Sequence, residues 1–476
     1  MNRSIKKGLF WSAIERFSVQ GIQFLLTIVI SRFVLPEEYG LIAMLGIFIA
    51  LANSIIDSGF SNALIQNKDR TETDCSTVFY FNIIISLILY LFLYILSPLI
   101  SSFYQEPRLE LLTKIIGLNF IIRSMGIVQN AKFIIALDFR SISKASFIGA
   151  IVGGIIGLGM AINGMGVWAL ITQTLLSSFI QTLLLWIYSK WKPIIVFSKT
   201  SFSRLFTFGS KLMLSGILHT IYLNMYTLVI GKFYNMSEVG YFNRANSIAQ
   251  YPSNFILGIT NRVFYPILCE KQNNINDFDI IFYKYLRMAC FIIFPLSIGV
   301  ISIAKPLIIS LLTEQWIGAI VPLQIIACAY ILYPIIIINN QPFLCLNKTG
   351  LFLKLEIVKK IVAIIFLLVA VNFDYNVLCL SILFYNIFDA IITICYLKKI
   401  YETGFLKQLQ NISDIIISSI SMGIIVYCFV IISPLNTLLT LIFAVFIGLI
   451  SYCFFNYIIK SDELIILLRI LHKSNR

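Results

Sequence analysis

The sequence has few charged residues and almost no histidine, and it lacks the motifs of most enzymes. Only 12% of its 476 residues are charged and 59% are hydrophobic, which leaves too little polar surface to coat a soluble protein. Its nine cysteines include no CxxC pair, and its two histidines have no neighbours at metal-ligand spacing. No Gly-rich phosphate loop, HExxH or GxSxG motif occurs. We therefore expect no metal, no cofactor, no catalytic residue and no ATP-hydrolysing module, and we interpret the cysteines as reduced packing residues.

What the sequence has instead is apolar length. Stretches of about twenty apolar residues, each long enough to cross a ~30 Å hydrocarbon core as a helix, recur along the whole chain. They predict an all-α polytopic membrane protein with about fourteen transmembrane helices and no soluble domain. The predicted spans are residues 9–34, 41–60, 77–100, 112–133, 145–163, 166–188, 206–231, 240–266, 283–304, 319–341, 351–371, 376–397, 412–432 and 435–458.

Basic residues are distributed unevenly between the two sides of the membrane. Most Lys and Arg outside the spans fall on the side that holds both termini, which predicts that both termini are cytoplasmic. The formal charge of +14 is then a topology signal and an attraction to anionic lipid headgroups, and no nucleic-acid partner is expected. The first apolar stretch is too long and too polar for a cleaved signal peptide, so we retain it as a span.

Two segments that lie two hundred residues apart are alike. Residues 27–40 read TIVISRFVLPEEYG and residues 227–240 read TLVIGKFYNMSEVG, with six identical positions. The match predicts a chain built from two related halves, and in membrane transporters a substrate commonly sits between such halves. We predict an N-terminal lobe at 1–200 (spans 1–6), a second lobe at 201–405 (spans 7–12), and two additional spans with a cytoplasmic tail at 406–476.

Basic residues outnumber acidic residues inside the predicted spans. We place five basic residues there, namely Arg16, Arg123, Lys211, Arg244 and Arg262, and the clear acidic ones are Glu15, Asp57 and Asp389. A charge at the centre of a membrane helix costs about 2.5–3.5 kcal/mol, so it is expected to face water, a partner or a ligand. The excess of cations indicates an anionic ligand.

Helical spacing places polar residues on one face of four spans. Spans 1, 2, 7 and 8 each carry such a face, which predicts the polar walls of one cavity. From these faces and from the fourth span we predict the substrate-binding residues Arg16, Lys211, Arg244, Arg262, Arg123, Gln20, Gln23, Asn53, His219 and Asn254.

The basic residues also have structural interpretations. Arg16 and Lys211 can snorkel to the cytoplasmic interface. Arg262 can act as a topology anchor, and Arg244 can act as an interfacial anchor or as a gate. Arg123 shares a face with Asn119 and Asn130 in the fourth span, and it can form structural hydrogen bonds there.

The other polar residues and the glycines are open to similar alternatives. Asp57 can pair with an Arg, bind a coupling cation or cap its helix, and we rank pairing first. His219 fits a packed bundle more readily than a proton relay. The glycines of residues 149–159 are expected to permit close helix packing.

Several motifs occur in a characteristic order. They are GFSNALIQNKD at 59–69, STVF at 76–79, GVWAL at 166–170, IGKF at 230–233 and GYFNRA at 240–245. In this order and spacing they resemble the polysaccharide-export flippases of the Wzx/WzxC type. The resemblance covers about residues 8–270 and continues beyond them mainly in hydropathy.

The resemblance implies a fold and a substrate. The family belongs to the MOP superfamily, together with the MATE exporters and MurJ, and this implies two six-helix lobes around a central cavity with alternating access. Spans 13 and 14 would be the additional pair of lipid-handling members. The implied substrate is an undecaprenyl-pyrophosphate-linked oligosaccharide, moved to the periplasmic leaflet of the bacterial inner membrane during O-antigen, capsule or exopolysaccharide assembly. Membrane lipids and polysaccharide polymerase or assembly proteins are further partners that it implies. Arg and Lys side chains would bind the pyrophosphate.

One position departs from the family pattern. Related sequences often carry an acidic residue shortly before the IGKF motif, where this chain has Tyr226. Ion coupling through that acid is therefore in doubt, and Asp57 and Asp389 remain as ion-coupling candidates, although neither lies in a motif.

Two other function classes stay open at this point. A MATE-like multidrug or cation antiporter would share the architecture, but its pocket should favour carboxylates over Arg and Lys. A membrane-embedded glycosyltransferase, polymerase or ligase would act on the same lipid carrier. Such enzymes generally need a large outer loop or catalytic acids, and the outer loops here are short.

Overall fold

Most of the described part of the chain is helical. The structure is a computed structural model that describes residues 21–57, 59–67, 69–260, 264–272, 274–401 and 403–465. No strand occurs within these ranges. The predicted all-α membrane fold is therefore confirmed.

The chain divides into two compact units, Met1–Gly240 and Tyr241–Arg476. The first contains α1 (Gly21–Ile30), α2 (Pro36–Asp57), α3 (Phe60–Gln66), α4 (Glu72–Tyr104), α5 (Arg108–Ile116), α6 (Leu118–Ser124), α7 (Ile127–Ile135), α8 (Phe139–Ile162), α9 (Val167–Ser189) and α10 (Lys199–Phe233). The lobe boundary that we predicted at residue 200 marks where the sequence repeat begins again. The compact units do not test it, so it stays a prediction.

The second unit contains most of α11 and all of the later helices. They are α11 (Met236–Ile259), α12 (Tyr265–Glu270), α13 (Ile275–Ser302), α14 (Ala304–Leu312), a 3-10 helix (Glu314–Ala319), α15 (Ile320–Ile331), α16 (Tyr333–Cys345), α17 (Thr349–Ala370), α18 (Tyr375–Leu397), α19 (Phe405–Ile432) and α20 (Thr437–Ile459).

Ten helical segments of the described chain are long and apolar enough to cross a membrane. The predicted number of fourteen is not confirmed. The first predicted span is described only from residue 21 onward. Three others coincide with α10, α11 and α17, which carry more polar residues, as in the Lys354–Lys360 segment of α17.

The same order of helices occurs twice along the chain. Corresponding elements begin at residues 200 to 210 positions apart, at Pro36 and Met236, Phe60 and Tyr265, Glu72 and Ile275, Arg108 and Glu314, Phe139 and Thr349, and Val167 and Tyr375. The element order therefore supports a chain built from two related halves.

One span in each half is interrupted where the sequence predicted a single helix. Residues 108–135 form α5, α6 and α7, with breaks near Gly117 and Gly126. Residues 314–345 form a 3-10 helix followed by α15 and α16. Pro334 lies at the start of α16, where its missing N–H and fixed φ are tolerated. Apolar length alone does not reveal such breaks.

A stripe of glycines lets α8 and α9 pack closely. Gly149, Gly153 and Gly157 recur every four residues on α8 and face α9. A methyl group on Gly153 would lie 2.8 Å from the carbonyl oxygen of Gln173 and from the amide nitrogen of Ser177. The prediction that this segment permits close helix packing is confirmed.

The helix pair α19–α20 packs on α13 through both ion pairs and hydrogen bonds. Arg287 on α13 contacts Asp414 of α19 (Nη2–Oδ2 2.6 Å) and Glu463, which follows α20 (Nε–Oε1 2.6 Å). The hydroxyl of Tyr452 donates to the carbonyl of Phe291 at 2.8 Å. Arg287 thus ties the last two long helices to the rest of their unit.

Candidate functional site

Residues 36–40 and 236–240, the helical turns that end the two related segments, pack against each other within the first unit. A side chain on Gly40 would collide with the carbonyl oxygen of Met236, and one on Gly240 would collide with the carbonyl oxygen of Pro36. Residues 36 and 40 correspond to 236 and 240 in the repeat, so the two contacts are reciprocal. The glycines that end the two turns are therefore explained by close backbone approach.

Other motif residues fix the ends of neighbouring helices. Glu38 accepts a hydrogen bond from the backbone N–H of Val167 at 3.3 Å, at the start of α9. Near the start of α4, Asp74 accepts two hydrogen bonds of 2.8 Å from Arg204 on α10. Ser76 accepts one from the N–H of Ile194 at 2.9 Å. These side chains, which lie in the motifs or next to them, stabilise the packing of neighbouring helices.

The helices α2 and α10 approach each other at a point where both carry predicted site residues. The ideal Cβ of Gly216 on α10 lies 2.8 Å from Oγ of Ser54 on α2. Asn53 and Asp57 lie within one turn of Ser54, and His219 lies within one turn of Gly216. Asn53 is partly buried, whereas Asp57 and His219 are exposed.

Arg123 adds a cation to this set of side chains. It lies on α6, is exposed, and interacts electrostatically with Asp57. Its neighbour Ser124 accepts a 3.0 Å hydrogen bond from Ser86 on α4. The structure therefore groups Asn53, Asp57 and Arg123 in the first unit, and α10 brings His219 close to α2.

Two buried asparagines near Arg123 were not predicted. Asn119 lies one turn before Arg123 on α6, and its Oδ1 has no hydrogen-bond partner within the described chain. Asn82 lies one turn before Ser86 on α4, is fully buried, and has neither amide atom paired within the described ranges. Helical spacing already places Asn119 on the same face as Arg123, whereas only the packing of α4 against α6 places Asn82 near it.

For the other predicted residues, the structure shows no contact with this group of side chains or does not describe the side chain. Gln23 is exposed on α1. Lys211 lies in α10 and Asn254 lies in α11, but their side chains are not described. Arg16, Gln20 and Arg262 lie outside the described residues.

Arg244 lies on an aromatic wall in the second unit. Its guanidinium carbon is 5.3 Å from the ring centroid of Trp316, a cation–π distance. Trp316 is fully buried, and Tyr241 lies at its edge with 6.2 Å between ring centroids. Gly318 leaves the space that the Tyr241 ring occupies. This environment holds Arg244 in place on α11.

A charged cluster in the second unit corrects the list of intramembrane cations. Lys359 is the eleventh residue of α17, is only 1% exposed, and lies 2.8 Å from Asp389 and 3.1 Å from Glu356. The number of five basic residues was therefore too small, because Lys359 was counted with the preceding loop although it lies inside the predicted span 351–371. Asp389 also accepts a 3.0 Å hydrogen bond from Thr393, so a coupling cation would have to displace the Lys359 ammonium.

The side chains grouped in the first unit are suited to recognition. A guanidinium offers five N–H donors in a planar fork that matches phosphate oxygens. Asn53 and His219 can donate and accept hydrogen bonds, as hydroxyl-rich ligands require. The set therefore suits an anion attached to a polar group.

Comparison with known proteins gives a consistent match. A family model described as "Polysaccharide biosynthesis protein" matches residues 29–321. The teichuronic acid biosynthesis protein TuaB of Bacillus subtilis is 26% identical over 74% of this chain and 73% of that protein. The succinoglycan biosynthesis transport protein ExoT of Rhizobium meliloti is 24% identical over 66% and 64%. The lipopolysaccharide biosynthesis protein WzxC of Escherichia coli is 25% identical over 67% and 65%.

Solved structures share the fold. The chain is similar to the lipid II flippase MurJ in an inward closed conformation, with a TM-score of 0.76, 16% identity, and coverage of 95% of this chain and 99% of that one. It is also similar to an inward-facing multidrug resistance MATE family transporter of the MOP superfamily, with a TM-score of 0.63, 18% identity, and coverage of 85% and 98%. The fold predicted from the motifs is thus confirmed.

Proposed function

Because the chain belongs to the polysaccharide biosynthesis protein family, we propose that it flips a lipid-linked oligosaccharide across the cytoplasmic membrane by alternating access. The observation that carries this proposal is the family match over residues 29–321, which includes most of the first half and the first part of the second. Relatives named for teichuronic acid, succinoglycan transport and lipopolysaccharide synthesis support a polysaccharide substrate.

The substrate that we propose carries its sugar on undecaprenyl pyrophosphate, for O-antigen, capsule or exopolysaccharide assembly. The protein makes and breaks no covalent bond in this reaction, so it acts as a transporter and not as an enzyme. Both termini lie in the cytoplasm. Membrane lipids and a polysaccharide polymerase or assembly protein are the further partners.

We assign the anion site to basic residues of the first unit. Arg123 is exposed and its charge acts on Asp57, and we propose that it binds the pyrophosphate together with Lys211 and Arg16. Asn53, His219, Gln20 and Gln23 hydrogen-bond the sugar. Arg244, Arg262 and Asn254 are further candidates in the second unit, and Asp57 and Asp389 stay candidates for ion coupling.

The test uses bacteria that lack the native gene and carry single variants. We expect Arg123→Ala, Lys211→Ala and Arg16→Ala to leave folded protein in the membrane, while lipid-linked sugar accumulates on the inner leaflet. Lys192→Ala is the matched control, because Lys192 is an exposed basic residue outside the site. Normal surface polysaccharide in all three variants would remove these residues from the proposal.

The MATE likeness leaves a second candidate, an exporter of cationic drugs. Its pocket would need carboxylates, whereas the predicted site carries more cations than carboxylates. We therefore expect drug-efflux assays to give no signal above a strain without the gene. Efflux of a cationic dye that depends on Asp57 would favour the exporter instead.

A further inference from the structure

Two cysteines of the second unit lie in sulfur contact. The Sγ atoms of Cys269 on α12 and Cys345 at the end of α16 are 2.7 Å apart, and both residues are free thiols. Cys345 is 5% exposed, whereas Cys269 is only partly buried. A disulfide bond is about 2.05 Å long, so the two sulfurs need to approach by less than about 1 Å.

We propose that Cys269 and Cys345 form a reversible disulfide and act as a redox site. A peroxide oxidises Cys269, the more accessible thiol, to a sulfenic acid and is itself reduced, which releases one water from hydrogen peroxide. The Cys345 sulfur then attacks the Cys269 sulfur and releases a second water. Overall, two S–H bonds and one O–O bond are broken, and one S–S bond and two O–H bonds form. A cellular dithiol reverses the reaction by exchange.

A disulfide at this location would restrict the movement of α12 relative to α16. A cavity of about 400 Å³ lies next to these helices, and Ile267 of α12 and Ile338 of α16 form part of its lining. A bond between Cys269 and Cys345 would fix these two walls to each other. Because α12 connects α11 to α13, the bond would also limit movement at the ends of those helices.

The proposed topology places both thiols at the cytoplasmic ends of their helices. Glutathione and thioredoxin keep thiols reduced in that compartment, where protein disulfides are usually transient. The dithiol is then the working form and the disulfide forms under oxidative stress. The consequence for transport rests on the proposed function, whereas formation of the bond does not.

The chemical test uses purified full-length protein in nanodiscs. Hydrogen peroxide is added, remaining thiols are alkylated, and chymotryptic peptides are analysed by mass spectrometry. We expect a linked peptide containing residues 269 and 345, absent from Cys269→Ser and Cys345→Ser. Cys395→Ser and Cys428→Ser are controls that should keep it, because those cysteines are exposed elsewhere. Full alkylation of both thiols after peroxide treatment would overturn the proposal.

The functional test compares transport before and after oxidation. We expect a loss of at least fivefold in the wild type, recovery with dithiothreitol, and no loss in Cys269→Ser. A linked peptide without any change in transport would overturn the regulatory role. If reduced protein does not transport at all, the proposed function fails, and the peptide result still decides whether the redox site exists.

Discussion

The helix pairs α8–α9 and α17–α18 occupy the same place in the two halves, but different forces hold them together. Gly149 is the eleventh residue of α8, as Lys359 is of α17, and Gln181 is the fifteenth residue of α9, as Asp389 is of α18. In the first half the glycine packs against the backbone and Cβ of Gln181. In the second half the lysine forms an ion pair with the aspartate at 2.8 Å.

The two helix pairs keep a contact at the same positions but form it with different residues. Both halves keep a contact at the same pair of positions, so the repeat conserves the geometry. A glycine reaches it by close backbone approach, whereas a lysine needs a carboxylate because an unpaired charge in the membrane is costly. A charged residue inside a span is therefore not by itself a sign of substrate binding.

The largest expected effect is the loss of one partner of the ion pair. Lys359→Met leaves Asp389 without its cation, and breaking a buried pair costs about 3–5 kcal/mol. We expect a much lower midpoint in thermal unfolding of the detergent-solubilised protein. Lys360→Met is the control, because Lys360 lies 3.9 Å from Glu356 and is 39% exposed. Adding Asp389→Leu to Lys359→Met should recover most of the loss, and an unchanged midpoint in the single variant would contradict this account.

The next effect concerns the glycine stripe of the first half. Gly153→Leu should cost about 1–3 kcal/mol or more through overpacking, since Gln173 and Ser177 lie within 3 Å of the added carbon. Gly159→Leu has no atom within 4 Å of its Cβ, so it should fold normally. Ala363 is at the corresponding position of α17. Ala363→Gly should lower the free energy of unfolding by about 1 kcal/mol. Equal midpoints for the Gly153 and Gly159 variants would refute the packing argument.

The smallest effect tests the two related turns. Gly40→Ala and Gly240→Ala each place a methyl group against a backbone carbonyl of the other turn. We expect similar losses of about 1–3 kcal/mol in the two variants, because a backbone carbonyl has to move in each, and the same unfolding assay measures them. The double variant should lose less than the sum of the single losses, because one separation of the turns relieves both collisions. A loss in only one single variant would show that the contacts are not reciprocal.

The sequence predicted the helical fold and the repeat well, because apolar length and the two matching turns are visible in it. It did not predict the breaks near Gly126 and Pro334, since hydropathy does not respond to them. Lys359 was missed because it was counted with the basic residues of the preceding loop, although it lies inside the predicted span 351–371, and its partner Asp389 is thirty residues away. The signal available was Glu356 at three residues before Lys359, a spacing that puts both on one helix face.

Only part of the proposed site could be predicted, because the sequence shows spacing along one helix but not the packing between helices. Asn53 and Asp57 follow the face of one helix, so spacing alone grouped them. Arg123 joins them through the packing of the first unit, which the sequence does not encode locally. Asn119 shares a helix face with Arg123, so the spacing shows that the two are close, whereas Asn82 carries no motif and only its burial singles it out.

The most direct test of the proposed function is leaflet exchange by the purified protein. Proteoliposomes would hold a fluorescent oligosaccharide linked to a polyprenyl chain by a pyrophosphate, and dithionite would quench the label in the outer leaflet only. We predict that nearly all of the label becomes accessible with the wild type, and that Arg123→Ala slows this exchange at least tenfold. Exchange that is equally fast with an uncharged linker, or none above protein-free liposomes, would contradict transport of a pyrophosphate-linked sugar.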